Sequence, residues 1–570
     1  MRLSIASRPG RRPRLSLWAS LAPLALALGA PGGCNQVLST GDYDVGEGSG
    51  SLVSCSSSRA CVEALGPYSA CRQADSKCVK LTSEQCTTVY GDYQSDDAIF
   101  FGTVFPLTGT NATTGRALQN SVELAARDLD RLNGLPPAPG SSAQRPVVIV
   151  QCDDASNGDE AVRAAAHLTS TVRVPVIIGS NATGVSRKMA TEVTIKGGVM
   201  LVSPSATGRD LTELEDQGLF WRTAPTSVLQ VDTLVQLLPY VEADLRSSLG
   251  LGAADKIKIG AAVKSDGFGT GLLQGLIESK SFVFNGAPGT GEANRPYFLA
   301  SEYGNPDDAA STVNYQGTVD RLLEALPHII FVFGSNEAIN EVLPRVEDGW
   351  PASAPYRPLY LFTDSGYKAD LWRFVSDRDP SGDGLRRRVL GVIFGAQGTS
   401  YENFRVAYTS NFNDGSQPDV LGTPNAYDAF YLMAYAAVAA GGTPLSGRVL
   451  ADNMAKLVAG TTINVGAGDA GRAFGALRAG QGIDFVGASG PLNFDLATGE
   501  ALSDIQIWCV KMGEGASPKP EPQGSFAGPK LSADTNALVG EPATSAFSYA
   551  QLKQRCEFSL PSPPPPATPE

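Results

Sequence analysis

The chain has 570 residues, 42% of them hydrophobic and 18% charged, with a formal net charge of −13. That length accommodates two or three domains, and the acidic balance argues against nucleic acid or an anionic lipid surface as partner. The two histidines, His167 and His328, leave little material for general-base catalysis or a zinc site. Composition therefore speaks against an enzyme, a metalloprotein and a cofactor protein.

Arg2, Arg8, Arg11, Arg12 and Arg14 form a positive leader without one acidic residue before Cys34. Residues 15–30 (LSLWASLAPLALALGA) are apolar, but too short and too rich in small residues to span a bilayer. The pattern is that of an export signal over 1–33. Residues 30–34 (APGGC) resemble a bacterial lipoprotein box in which Cys34 is lipidated, although Pro31 stands where that motif usually carries Leu. The alternative is an ordinary cut near Ala27 or Ala30, which leaves Cys34 as an unpaired thiol. Arg11-Arg12 is followed by residues that fit a twin-arginine signal poorly. Losing 1–33 removes five arginines and takes the formal charge from −13 to −18. The expected location is the periplasmic face of a bacterial envelope, with the membrane reached only through a lipid on Cys34.

Composition divides the rest of the chain. Residues 34–54 are a Gly/Ser-rich tether, and 55–88 form a small cysteine-rich segment with too few residues for a hydrophobic core. Residues 96–512 are globular. Residues 513–570 are a Pro/Gly/Ser-rich tail with an ordered stretch at 547–558 around Cys556, and it ends in SPPPPATPE, which cannot pack a core. Apart from Cys34, the cysteines are Cys55, Cys61, Cys71, Cys78, Cys86, Cys152, Cys509 and Cys556, an even number that suits an oxidising compartment. Cys86 just precedes the first strand and Cys152 ends the second, so these two can meet. Cys509 can pin Cys556 and hold the tail, which leaves the other four to close the small segment. Spacing alone leaves the connectivity open.

Within the globular part, residues 98–105 (AIFFGTVF) read as a buried strand. Leu118, Val122, Ala125, Leu129 and Leu132 then mark one face of a helix that stops at Asn133-Gly134. A strand at 146–151, a helix at 161–172 and strands at 174–178 and 199–202 around a helix near 185–196 come next. The rhythm restarts at 257–263 and continues through 329–333 and 359–362. Continuous apolar strands alternating with amphipathic helices predict parallel sheets covered on both faces, and two such series joined near 220–226 predict two lobes. Ligands lodge beyond the carboxyl ends of such strands. The loops there, 108–115, 180–184 and 203–207, are dense in hydroxyls and suit a carboxylate, though the same residue types also serve as turns and helix caps.

Other motifs are weaker. Gly267-Phe268-Gly269-Thr270-Gly271 lacks the spacing and downstream acid of a dinucleotide fingerprint and reads as the loop before a helix. Asp377, Asp379 and Asp383 have the wrong spacing for a calcium loop, with Arg388 where a bidentate Glu belongs. Asp153-Asp154 and both histidines read as framework.

The segments FGTVFPLTG (101–109), VPVIIGSNATG (174–184), GVMLVSPSAT (198–207), FWRTAP (220–225), PNAYDAFYLMAYA (424–436) and VGASGPLNFDLATGEALSDIQIW (486–508) hold their order along the chain. Through them the chain resembles the type I periplasmic binding proteins, in particular the leucine/isoleucine/valine-binding group of amino-acid receptors. The resemblance implies an α/β fold of two Rossmann-like lobes with parallel sheets, three crossovers (near 222–227, 392–397 and 490–500) and a ligand cleft between them. Lobe 1 would be 96–224 plus 398–490, and lobe 2 would be 227–391 plus 500–512. It further implies that Asn181, Thr183, Ser205 and Thr207 hold an α-carboxylate, and that Phe268 packs over the ligand. Asn336, Asp364 and Tyr367 are the second lobe's other candidates. The family's ammonium-binding carboxylate aligns with Ser365, one place after Asp364, and its first-loop tryptophan is replaced by a small polar residue near Thr114, which is the first lobe's remaining ligand-binding candidate. The implied function is non-catalytic: capture of a small polar metabolite, an amino acid or related carboxylate, for an ABC permease. The alternative is a sensory or regulatory lipoprotein that binds a membrane or wall-synthesis partner.

Overall fold

The computed structural model describes residues 53–308, 310–395, 398–513, 525–532, 535–540 and 544–557, all within one compact unit, Leu52–Glu570. The export signal, Cys34, most of the tether and the SPPPPATPE terminus lie outside the described residues.

Two eight-stranded sheets organise the chain. The first is ordered Phe494–Asp495, Glu500–Ala501, Phe220–Arg222, Met200–Ser203, Val176–Gly179, Ile99–Phe105, Val147–Asp153 and Thr88–Tyr90. Its inner strands are parallel, and antiparallel pairs close both ends. These strands are buried on both faces, as their unbroken apolar runs require. The helices Ala112–Asp130 and Thr423–Ala439 cover one face; every residue of the second is buried, so it runs through the lobe's core rather than over its surface.

The second sheet is ordered Phe298–Glu302, Ile259–Val263, Ile329–Phe333, Leu359–Phe362, Val389–Phe394, Ile505–Cys509, Ser525–Ser532 and Ala537–Val539. It is parallel as far as Val389–Phe394 and antiparallel beyond. The chain crosses between the sheets after Arg222, after Phe394 and after Ala501. The crossing after Phe394 lies within the expected 392–397, and the last falls just beyond the expected 490–500. Val389–Phe394 runs its full length in the second sheet, and Glu500 still pairs with Arg222 of the first.

The tail also departs from expectation. Ser525–Ser532 pairs along Ile505–Cys509 and extends the second sheet, followed by Ala537–Val539. The composition around these strands carries no apolar alternation; the open sheet edge, buried Leu531 and hydrogen bonds from Gln236 to the Asn536–Leu538 backbone organise them. The cysteine-rich segment forms a helix, Ser58–Leu65, against a hairpin of Ser69–Arg72 and Lys77–Lys80. Disulfides join Cys55–Cys71, Cys61–Cys78, Cys86–Cys152 and Cys509–Cys556. Buried Cys61, Cys71 and Cys78 are the segment's own core, in place of the side chains it lacks.

Candidate functional site

The cleft is built from loops that leave the carboxyl ends of parallel strands in both sheets. In the first lobe, a buried hydroxyl network shapes these loops. Ser180 Oγ donates to Asp154 Oδ2 at 2.6 Å, and Ser203 Oγ donates to Ser180 O at 2.7 Å. Ser205 Oγ donates to Asn181 O at 3.0 Å, which ties one loop to the next. Gly208 N donates to Thr183 Oγ1 at 3.0 Å, so the Thr183 hydroxyl keeps its own proton for a partner. Gly208 is required here because a Cβ would stand 2.2 Å from Thr183 Cγ2. Arg222, fully buried, donates to Gly208 O at 2.8 Å and to Thr212 Oγ1 at 2.7 Å, and pairs with Glu500. It thereby locks the 204–208 loop to the strand of the last crossing.

The second lobe supplies the charges. Lys264, at the end of Ile259–Val263, pairs with Asp266 at 3.0 Å and with Asp307. Burial works against its ammonium, but Asp266, Glu337 and Asp307 outweigh that and hold its pKa above the ordinary lysine value. Asp266 also caps the helix Gly267–Glu278, accepting from Phe268 N at 3.1 Å and Gly269 N at 2.9 Å. Gly267–Gly271 therefore lie within the helix, not in a loop before it. Asp364 is 1% exposed. Its Oδ2 accepts from Gln230 Nε2 at 2.8 Å and its Oδ1 from Ser365 N at 2.7 Å. Burial raises its pKa to about 6, against these hydrogen bonds and a further stabilising influence of Thr207 on the ionised form.

All nine candidate side chains line two adjoining cavities. Thr114, Asn181, Thr183, Ser205, Thr207, Phe268 and Asp364 line one of about 40 Å³, and Thr114, Asn336 and Tyr367 line one of about 140 Å³. Asn111, Thr114 and Lys368 line both. Asn336 Nδ2 donates to Thr110 O at 2.6 Å across the cleft, and Tyr367 packs edge-on against Trp372 and Trp508. Ser365, the position that aligns with the family's ammonium-binding carboxylate, donates its hydroxyl to Gly334 O. Lys264, Lys368, Asn111 and Asp307 escaped the sequence reading. The available signal was a lysine directly after an apolar strand, at Val263-Lys264, and another closing the loop after Leu359–Phe362.

The discounted motifs have structural work. Asp153 Oδ1 accepts from Leu107 N at 2.8 Å and Ala155 N at 2.7 Å, and Asp379 Oδ2 accepts from Gly384 N at 3.0 Å and Arg386 N at 2.8 Å. His167 Nε2 lies 3.0 Å from Leu81 O, and His328 Nδ1 accepts from Lys258 N at 3.0 Å while its ring stacks on Tyr356.

A sequence profile of the family described as "Periplasmic binding protein" matches residues 98–241. No curated protein sequence matches the chain. Among solved structures, a branched-chain amino acid transporter substrate binding protein of Streptococcus pneumoniae, in complex with isoleucine, is 18% identical. The match covers 75% of this chain and 99% of that one, with a TM-score of 0.51. A leucine binding protein of Thermotoga maritima is 16% identical over 78% and 99% of the two chains, with a TM-score of 0.53. An ABC transporter solute binding protein of Rhodopseudomonas palustris, in complex with 3,4-dihydroxybenzoic acid, is 16% identical over 77% and 98%, with a TM-score of 0.52. The fold is thus the two-lobed α/β architecture of type I periplasmic binding proteins, and the proteins that share it here are described as binding proteins rather than enzymes.

Proposed function

We propose that the protein is an extracytoplasmic receptor that captures a small organic carboxylate, an amino acid or a related acid, by closure of its two lobes for delivery to an ABC permease. The observation that carries this reading is the convergence of hydroxyl-bearing loops from one lobe with charged and aromatic side chains from the other on a shared cavity. Thr183 supports the carboxylate part, because its hydroxyl accepts from Gly208 N and so presents its proton elsewhere. The fold and the binding proteins that share it support capture. A leader ending at Cys34 supports envelope location with a lipid anchor.

The test is a thermal-shift screen against amino acids, amides, small carboxylates and sugars, since a ligand that binds only the folded chain must raise its melting temperature. Thr183→Ala and Thr207→Ala should then each weaken the responding acid by about 1.5–3 kcal/mol, as for hydrogen bonds to a charged group. Unchanged affinity in both variants would move the binding site away from these loops.

A sensory or regulatory lipoprotein on the same fold is the second reading. It is favoured by the disulfide-pinned tail on the second sheet and the disulfide-closed segment that leads into the first, neither of which capture itself requires. A flat thermal-shift response favours this reading.

A further inference from the structure

Lys368 differs from the other charged groups of the cleft. It lines both cavities, and its Nζ meets Asn111 Oδ1 at 3.4 Å, long for a charge-assisted hydrogen bond. The other lining cations are matched: Lys264 by Asp266 and Asp307, and Arg373 by Asp370 at 3.5 Å. The lining carboxylate of Asp419 is matched by Arg405 at 3.0 Å and accepts from Tyr401 at 2.6 Å. Among the described residues, Lys368 takes part in no ion pair. Burial disfavours its charged form, opposed at longer range by Glu337, Asp370 and Asp364, with Lys264 adding to the repulsion. Each of these acids is already engaged. Glu337 accepts from the Tyr303 hydroxyl at 2.8 Å and from Ser335 N at 2.7 Å, and Asp364 from Gln230 and Ser365 N.

An amino acid brings a cation as well as an anion. In this cleft the cation would approach Lys368 and Lys264. Asp266 and Asp307 already pair with Lys264, and Asp364, both of whose oxygens accept from Gln230 and Ser365 N, is among the described residues the smaller cavity's one lining carboxylate without a cation partner. A carboxylate, in contrast, meets an ammonium without an ion pair beside the first lobe's hydroxyls. We propose that Lys368 determines specificity by supplying the cleft's counter-charge, selecting a net-anionic organic acid without an α-ammonium over the corresponding amino acid. This rests on the carboxylate capture proposed above and narrows its class. Selection works on both sides: attraction for the acid, and like-charge repulsion against its zwitterionic analogue.

Calorimetric titration of the full chain with matched pairs that differ in the ammonium tests this: leucine against isocaproate, glutamate against glutarate, phenylalanine against hydrocinnamate. In the responding pair the acid should bind at least about tenfold tighter. Lys368→Met should reduce its affinity by at least about tenfold, whereas Lys368→Arg, which keeps the charge, should retain most of it. An amino acid that binds as tightly as its acid overturns the inference and leaves capture standing. So does a Lys368→Met variant with native melting behaviour and unchanged affinity for the acid. If Lys368→Met does not fold, the wild-type pair ratios still decide. A chain that responds to no member of the panel overturns capture and the inference together.

Discussion

At the scale of single residues, the cleft depends on groups whose ionisation burial has altered. Asp364 ordinarily titrates near 3.8, and burial moves it to about 6 in the fold. The native state therefore holds a proton that the unfolded chain has already released, and folding is penalised as pH rises from about 4 through 6. Asp364→Asn, uncharged throughout, should escape this penalty. Its stability relative to wild type should climb over that interval by roughly 3 kcal/mol, read from denaturant midpoints at a series of pH values. A constant offset between the two proteins would show that Asp364 does not titrate there. Arg222 is the opposite case, a buried cation whose two terminal nitrogens meet two carbonyls, a hydroxyl and Glu500. Arg222→Met should cost about 3–5 kcal/mol, because Glu500 would be left without its partner. A loss below roughly 1 kcal/mol, the value of an exposed pair, would contradict that. The FWRTAP segment made Arg222 visible in the sequence. Its role was not legible, since its charge partner Glu500 reaches it from a distant part of the chain.

At the scale of elements, alternation of apolar strands and helices was legible because burial on both sheet faces leaves unbroken runs such as Val147–Val150. Short or composition-poor strands were not. Phe298–Glu302 is a half-exposed edge, and Ser525–Ser532 has too little apolar content to be recognised, yet it pairs with Ile505–Cys509 because that edge presents unsatisfied backbone groups. The Cys509–Cys556 bridge then anchors the helix Tyr549–Cys556, assisted by Lys553 on Asp244 at 2.6 Å and by Tyr240 against Phe547 and Tyr549. Replacing both cysteines with alanine should lower stability by about 2–4 kcal/mol and speed amide exchange in Ser525–Ser532 and Tyr549–Cys556. Unchanged exchange there would mean that packing alone holds the tail.

At the scale of the whole molecule, specific contacts join the lobes. Arg209 pairs with Glu278 at 2.5 Å, Asn336 reaches Thr110, and Asp210 of the first lobe lies so close to Gly267 of the second that a Cβ there would stand 2.2 Å from Asp210 Oδ2. Gly267 occupies the first turn of its helix, where alanine is tolerated by the backbone. Gly267→Ala should thus oppose closure without unfolding either lobe. We expect ligand affinity to fall at least about tenfold with little change in melting temperature, and a larger radius of gyration in solution. Full affinity in this variant would mean that binding does not require the closed arrangement.

The linear chain alone specifies the oxidised cysteine set, the two α/β series and the hydroxyl-rich loops, because each is written in local composition or in the period of apolar residues. Which charges share the cleft was settled only on folding. Lys264 and Asp266, Asp307, Glu337, and Asp364 and Lys368 come from four separate strand ends. Their gathering onto one sheet edge pairs Lys264 with Asp266 and Asp307 and leaves Lys368, among the described residues, the cation without an ion pair. Local patterning reports what each segment buries. It does not report which distant charge a segment will meet, because that depends on strand order and on the loops that neighbouring strands bring to the same edge.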